Sequence, residues 1–407
     1  MARSTVWETP CRAMAEVQDD TSVRPFSLVI GGPFHRSLIR VGLIPTPGPN
    51  VRRRMWFFVL LTWAPLLLLS LAGGRALPGT AGLPFLYDYS AHARFLICIP
   101  LLFAAEIVID PGIGRAVATF RTGGIVRAQD RPAFDAILLK VERLRDSGLI
   151  EAIILLVSLF PMVLFASTAW RSGAIVTWHH LPSGTLSAAG WWFMIVSSTS
   201  LRFLLLRWLW RYLLWGYLLH RIAALDLVLL GTHPDGSAGL GFVNRAQRHF
   251  AFVFLAGGVL IAGEYSNDIA YFGLPIDAIL IPALIYMILA VLVVLGPTAL
   301  LAPQLVRTRN RDLTTYGRLG RELTASFDAK WIGGRNPDHE SLLGHQDPSS
   351  LIDFAGNFEI IMGIQAIPIS RGLVLQVAAY AGLPFGVLYI LASPINETLR
   401  QLAKMLL

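Results

Sequence analysis

Five ionisable residues lie in or beside apolar blocks of this sequence, where a charge is costly. Glu106 and Asp110 are four residues apart and therefore share one helix face. Arg202 and Arg207 lie in a second block, and Arg211 follows at its edge. At roughly 1.5 Å per residue, Glu106 and Arg202 lie about 20–22 Å below the outer surface, and Asp110 and Arg207 about 27–28 Å. We predict that Glu106 meets Arg202 and that Asp110 meets Arg207, with Arg211 beside them at the inner surface.

Such pairs have two interpretations. Ionisable residues at membrane depth commonly mark ion or solute pathways, which predicts a conduit through the inner half of the protein. The alternative is a structural ion-pair network that allows the arginines to be inserted into the membrane. Arginines near the inner surface can also extend toward lipid phosphates.

A second charged group lies toward the outside. Glu264 and Asp268, again four residues apart, end an apolar block, and Arg94 begins another block at a similar level. This group is either the mouth of a conduit or a capped helix end. Two acids without a histidine at ligand spacing do not make a transition-metal site.

A loop rich in glycine contains the most specific string of the chain. Its pattern demands a tight turn, and its possible functional residues are Thr232, His233, Pro234, Asp235, Gly236, Gly239 and Gly241. His233 and Asp235 are close enough to share a hydrogen-bonded site, and backbone amides before a helix attract anions. However, neither a Walker A motif nor GxGxxG is matched. The loop is therefore either a membrane enzyme's site or a structural turn, and the sequence assigns no catalytic residue.

The composition indicates a membrane protein. Of 407 residues, 54% are hydrophobic and 15% are charged, against about 25% charged in soluble proteins. This balance argues against a cytosolic enzyme and excludes a disordered chain. The net charge of +8 comes from basic residues at the ends of apolar blocks, which favours membrane topology over nucleic-acid binding. Cys11 and Cys98 form no metal motif, so no metal site and no cofactor are expected.

The fold class predicted is an all-α, polytopic transmembrane bundle of about seven spans. A span needs about 20 mostly apolar residues. Windows that meet this need lie at roughly 55–72, 91–110, 149–170, 189–215, 250–268, 276–302 and 372–393. If the last segment is re-entrant, the C-terminal tail stays inside.

Basic residues crowd the loops on the side of the N-terminus. By the positive-inside rule, the N-terminus is cytoplasmic. The first 25 residues lack the apolar region of a signal peptide, so the first span acts as an uncleaved insertion signal.

Four regions follow from this topology. Residues 1–50 form a cytoplasmic tail with an amphipathic segment at 25–46, which lies on the inner leaflet or packs against helix ends. Residues 51–302 form the membrane bundle, with a helical cytoplasmic arm at 111–148. Residues 303–371 form a second arm, with a loop at 333–350. Residues 372–407 contain the last span and an amphipathic tail.

Two stretches resemble a known family. The loop THPDGSAGLGF, with NFEIIMGIQAIPIS and LPFGVLYILASPINETLRQLAKMLL near the C-terminus, is similar to a family of uncharacterised bacterial integral membrane proteins. The resemblance extends from about residue 51 to the end. It implies a multi-pass bacterial inner-membrane protein and no established activity.

Together these observations favour a channel or transporter for an ion or small solute. The alternatives are a membrane-embedded enzyme at the His-Pro-Asp-Gly loop and a non-catalytic scaffold or sensor subunit. The expected partners are the lipid bilayer and either a second copy of the chain or a cytoplasmic protein, without nucleic acid.

Overall fold

The computed structural model describes residues 26–393 apart from 45–49, 80–81, 169–176, 182, 184, 334–340, 343–344, 366 and 368–369. For residues 161–168 it describes the helical backbone alone. The fold is all-α, as predicted, and isolated bridges are the only β pairing in the described ranges. The C-terminal tail, predicted to be amphipathic, lies outside them.

Eleven helices make up the described chain. They are α1 (Gly32–Arg40), α2 (Val51–Ala72), α3 (Tyr89–Thr122), α4 (Arg131–Arg145), α5 (Gly148–Thr168), α6 (Ala188–Ala223), α7 (Gly241–Phe272), α8 (Ile276–Ala299), α9 (Ala302–Phe327), α10 (Gln346–Met362) and α11 (Arg371–Ala392).

Six of these helices are long and apolar enough to cross a membrane, namely α2, α3, α6, α7, α8 and α11. The seventh predicted span falls on α5, whose described apolar part, Gly148–Phe160, is shorter than a bilayer requires. Its first residue lies near Pro33, at the end of the molecule that holds α1. Thr177 bridges Leu83 at the other end. The described residues Gly148 and Thr177 therefore lie at opposite ends of the molecule.

Contacts between loops define the two ends. At the N-terminal side, the loop after α3 contacts the loop after α6. Arg127 forms an ion pair with Asp226, and Val126 bridges Leu227. At the opposite side, Trp178 donates a hydrogen bond to Asp88, just before α3. The two ends of α3 and of α6 thus lie in two separate loop clusters.

The arms differ from the prediction in their bounds. The helix of the second span does not end at residue 110 but continues past Pro111 to Thr122. The predicted arm at 111–148 is therefore α4 alone, and its buried face, Phe134, Ile137 and Val141, packs on the bundle. The predicted loop at 333–350 is shorter, because α10 begins at Gln346 behind the cap of His345.

The first described residues of the predicted amphipathic segment pack against α3. Residues 26–29 are buried, and Ser27 donates a hydrogen bond to Asp110 of α3. Further along the segment Ile39 and Val41 are exposed, so its start alone belongs to the core of the N-terminal side.

Two spans carry an irregular turn at the same level. A π-helical turn occupies Ala93–Cys98 in α3 and another occupies Phe193–Ser197 in α6. The rings of Phe95 and Phe193 contact each other across them, with centroids 6.0 Å apart. Each π turn adds a residue to its span without interrupting it.

Candidate functional site

Glu106 is the centre of a buried charged cluster, hereafter the Glu106 cluster. Nη2 of Arg54 in α2 lies 2.9 Å from its Oε2, and Nη1 of Arg211 in α6 donates to its Oε1 at 2.9 Å. The cluster also includes Arg207 and Glu151, whose Nε and Oε1 are 3.4 Å apart. Glu106 is 6% exposed, so the three spans hold their charges against one another away from solvent.

The predicted pairing is wrong. Arg202 does not meet Glu106, because its Nε donates to the backbone oxygen of Ser158 in α5 at 2.8 Å. Asp110 does not meet Arg207, because its carboxylate accepts hydrogen bonds from Ser27 Oγ and from the amides of Leu28 and Val29. Of the predicted arginines, Arg211 is the partner of Glu106.

The correction has a geometric cause. The depth argument assumed that both spans begin at the same level. Trp208 Nε1 of α6 donates to the backbone oxygen of Leu102 in α3 at 3.1 Å, which sets the register between these helices. Arg211, one turn further along α6, then lies beside Glu106. Spans two and four are therefore neighbours, as predicted, but are shifted along each other.

The N-terminal segment 26–40 covers this cluster. The amide of Phe34 donates to Glu151 Oε2 at 2.7 Å, and its ring lies 4.4 Å from the guanidinium carbon of Arg207. Burial, together with the positive charges of Arg54 and Arg207, lowers the pKa of His35. The segment thus lies over a positively charged surface and is attached through the two carboxylates, Asp110 and Glu151.

The space within the cluster is small. A cavity of about 20 Å³ touches Arg207, Arg211 and Glu151 but neither Glu106 nor Arg202. This volume suffices for about one water molecule. The ion pairs around Glu106 have the geometry of the structural network.

The second predicted group forms one ion pair. Arg94 pairs with Glu264, which also accepts a hydrogen bond from Ser90 Oγ at 2.7 Å. The carboxylate of Asp268 has no hydrogen bond or ion pair within the described residues. The pair joins α3 to α7, which fits the alternative of an ordinary helix end.

Sequence reasoning missed a stronger junction at this end. Asp88 is buried and accepts hydrogen bonds from Asn267 Nδ2, Trp178 Nε1 and the amide of Ala91, at 2.8, 2.8 and 2.9 Å. One carboxylate thus joins α3, α7 and the loop before α6. Its position directly before a span, as an N-cap, was the available signal.

The glycine-rich loop is organised around Asp235. Its carboxylate accepts the amides of Ser237, Gly239 and Gly241 at 2.9, 3.0 and 2.8 Å. Burial opposes its ionisation, but these hydrogen bonds outweigh burial and lower the pKa of Asp235. Both carboxylate oxygens are therefore occupied in holding the start of α7.

The remaining loop residues have turn roles. Gly236 and Gly239 have φ of 63° and 94°, in the region that favours glycine. A Cβ at Gly241 would lie 2.9 Å from Asp235 Oδ2. His233 Nδ1 lies 3.0 Å from Asp235 Oδ1, and its side chain is 45% exposed. Thr232 and Pro234 begin this turn, which has the geometry of a structural loop.

A cavity of about 400 Å³, hereafter the basic cavity, lies between α3 and α7 at the N-terminal side. Its lining contains four basic side chains and no carboxylate: Arg115, Arg245, Arg248 and His249. Within the described residues, none of the three arginines has an ion-pair partner, and the buried Arg248 Nε and His249 Nδ1 have no hydrogen-bond partner. The cavity is therefore lined by positive charges that no carboxylate of its lining neutralises.

Local backbone features create this space. The helix of α7 is interrupted at His249 and Phe250, between its two pieces Gly241–Arg248 and Ala251–Phe272. The imidazole lies against Gly112 of α3, where an added Cβ would be 2.4 Å from His249 Nδ1. Gly112 thus allows the ring to lie back from the cavity.

The chemistry available at each place is limited by these contacts. No group of three or more metal-ligating side chains occurs in the described part of the chain.

Comparison of the chain with protein families, with curated proteins and with solved structures finds no match. The resemblance to uncharacterised bacterial membrane proteins stays a prediction.

Proposed function

We propose that this multi-pass membrane protein binds a phosphate-type anion in the basic cavity. The observation that carries the proposal is the set of three arginines and one histidine around about 400 Å³ without a carboxylate. Arginine donors favour planar and tetrahedral oxyanions, and hydrogen bonds between charged groups are the strong ones. An unpaired cation costs free energy that a bound anion would recover.

Binding of inorganic phosphate tests this function. The purified protein is dialysed against labelled phosphate, and Arg248→Gln is compared with Arg318→Gln, an exposed arginine of α9. We expect Arg248→Gln to weaken binding about tenfold, since one charge-assisted hydrogen bond is lost, and Arg318→Gln to leave it unchanged. Equal binding by both variants contradicts the proposal.

A second candidate is transport through the Glu106 cluster, with the N-terminal segment as its gate. One observation favours it: the segment covers the cluster and is attached through Asp110 and Glu151. Asparagine is a weaker hydrogen-bond acceptor than aspartate. Asp110→Asn should therefore weaken the attachment of the N-terminal segment to α3 and expose the Glu106 cluster.

Flux into liposomes tests this candidate, with a pH-sensitive dye for protons and a chloride electrode for chloride. Asp110→Asn should raise one of these fluxes. Asp353→Asn, at an exposed carboxylate of α10, is the control. Absence of flux in Asp110→Asn argues against conduction here.

For the orientation, we infer that the N-terminal side faces the cytoplasm of a bacterial cell. The accumulation of basic residues in the loops on this side supports it. A cysteine introduced at exposed Arg318 should react with a permeant maleimide and not with an impermeant one in whole cells.

A further inference from the structure

We propose that the ligand of the basic cavity is an anionic phospholipid of the N-terminal-side leaflet, whose acyl chain lies along α3. This inference rests on the proposed function and names its ligand class. Three observations support this inference: the depth of the cavity in the membrane, the face of α3 that continues from the cavity, and an apolar groove at the far end of that face.

The depth fits a lipid headgroup. Tyr89 of α3 and Tyr271 of α7 mark the opposite surface, with ring centroids 6.4 Å apart. Interfacial aromatics of this kind lie at headgroup level. Arg115 is 26 residues beyond Tyr89, about 39 Å along the helix. A bilayer with its headgroups is about 40–45 Å thick, so the arginines of the cavity lie at the other headgroup level.

One face of α3 leads from the cavity into the bilayer. Positions 115, 112, 108, 104 and 101 recur every three or four residues and therefore lie in one stripe. Ala104 and Val108, between the cavity and Leu101, are small to medium in size and half-buried. The stripe from Arg115 to Leu101 is about 21 Å long, close to the thickness of one leaflet with its headgroup.

The stripe ends at an apolar groove of about 480 Å³ between α3, α7 and α11. Leu101 and Leu255 form its deep end, and Leu383 of α11 lies beside them. The same three helices meet at the basic cavity, where a Cβ at Gly372 of α11 would be 3.8 Å from Arg248 Nη2. The charged cavity and the apolar groove thus share two helices, α3 and α7, which matches a molecule with a phosphate at one end and a hydrocarbon chain at the other.

A free oxyanion would use the cavity alone, whereas a phospholipid would use the cavity and the stripe. Two variants separate these sources. Arg248→Gln removes a donor from the cavity, and Ala104→Phe places a ring on the stripe eight residues from Gly112, which lines the cavity. Ile285→Phe is the control, since Ile285 is 60% exposed on α8, a helix that lines neither the cavity nor the groove.

The experiment measures lipid binding to the full-length protein by native mass spectrometry in detergent, with added dioleoyl phosphatidylglycerol or phosphatidylcholine. We expect the wild type to bind phosphatidylglycerol about tenfold more tightly than phosphatidylcholine. Arg248→Gln and Ala104→Phe should each reduce phosphatidylglycerol affinity about tenfold, and Ile285→Phe should not. If Arg248→Gln fails to fold, Arg115→Gln, at an exposed cavity arginine, replaces it.

Inorganic phosphate is measured on the same variants. If Ala104→Phe leaves phosphate binding intact and weakens phosphatidylglycerol binding, the lipid is supported. If Ala104→Phe has no effect on phosphatidylglycerol, or the wild type does not prefer it to phosphatidylcholine, the lipid is overturned. In that case the proposed function stands, provided that phosphate binding depends on Arg248. If neither ligand depends on the cavity arginines, both proposals fail.

Discussion

The Glu106 cluster and the basic cavity use the same side chains in opposite ways. In the Glu106 cluster, Arg54 and Arg211 meet on one carboxylate, and the space left holds about one water molecule. In the basic cavity, three arginines surround about 400 Å³ and meet no carboxylate in the described chain. Charges that satisfy one another stabilise a fold, whereas charges left without partners suit a ligand. The arrangement of partners, more than the depth of the charges, therefore separates structure from function here.

The largest expected effect is at the centre of the Glu106 cluster. Glu106→Gln leaves Arg54 and Arg211 buried without a counter-charge, which costs about 3–5 kcal/mol. Thermal unfolding in detergent should show a markedly lower midpoint. Glu322→Gln, at an exposed position of α9, should not shift it.

In the basic cavity we expect the opposite result, a loss of binding with little loss of stability. Arg248→Gln removes a cation that has no partner, so the free energy of unfolding should change by less than about 0.5 kcal/mol while anion binding falls. A large loss of stability in Arg248→Gln would mean that this arginine is structural and would remove the contrast between the two regions.

Two glycine-to-alanine variants, one beside His249 and one in α9, test whether the cavity depends on the space that Gly112 leaves. Gly112→Ala places a methyl group against His249, and overpacking of this kind costs about 1–3 kcal/mol. The displaced ring should also narrow the cavity and weaken phosphate binding. Gly317→Ala in α9 meets open space and should stabilise its helix by about 0.5–1 kcal/mol, as seen in chemical unfolding.

How far could these regions be predicted? Composition and apolar length gave the all-α bundle and its spans, because a bilayer imposes both. Asp110 and Arg202 were assigned partners from depth alone, and depth carries no information on the register between two helices. Register depends on particular contacts, such as the indole of Trp208 on the backbone of Leu102.

The true partners were hidden for a related reason. Arg54 and Glu151 lie at span ends, where charges are ordinary. Arg115 and Arg248 are far apart in sequence, and a cavity appears only when α3 and α7 pack. The sequence predicts that a charge lies at a helix end. Which partner that charge contacts, if any, depends on how the helices pack.

A variant in the loop before α7 should lower the free energy of unfolding by a smaller amount, and this loss should depend on pH. Asp235→Asn weakens three amide hydrogen bonds and should cost about 1 kcal/mol, the usual value of a lost cap. The pKa of Asp235 is lowered from 3.8, so its contribution is complete above pH 3.8 and is lost as the pH falls through the folded value. The difference between variant and wild type should therefore shrink in acid. His233→Ala should have less effect, because this side chain is largely exposed.

The smallest expected effect concerns the N-terminal segment. Burial lowers the pKa of His35 from 6.5, and the charges of Arg54, Arg207 and Arg211 lower it further, while Glu106 opposes them. The segment should therefore lose stability as the pH falls below 6.5, since the released segment takes up the proton more readily. Amide hydrogen exchange at Leu28 and Val29, corrected for intrinsic rates, should be faster at pH 5 than at pH 7. Unchanged protection would show that His35 does not hold the segment.

The paired π turns of α3 and α6 make the protein sensitive to insertions and deletions in a specific way. A regular α-helix turns about 100° per residue, whereas a π turn takes up one extra residue within a single wide turn. Deleting a residue from the regular part of α3 between Cys98 and Glu106 would therefore turn Glu106 away from Arg211. A deletion within Ala93–Cys98 is instead absorbed when the wide turn returns to regular α-helix. The two π turns are thus the places in these spans where the loss of a single residue should be tolerated.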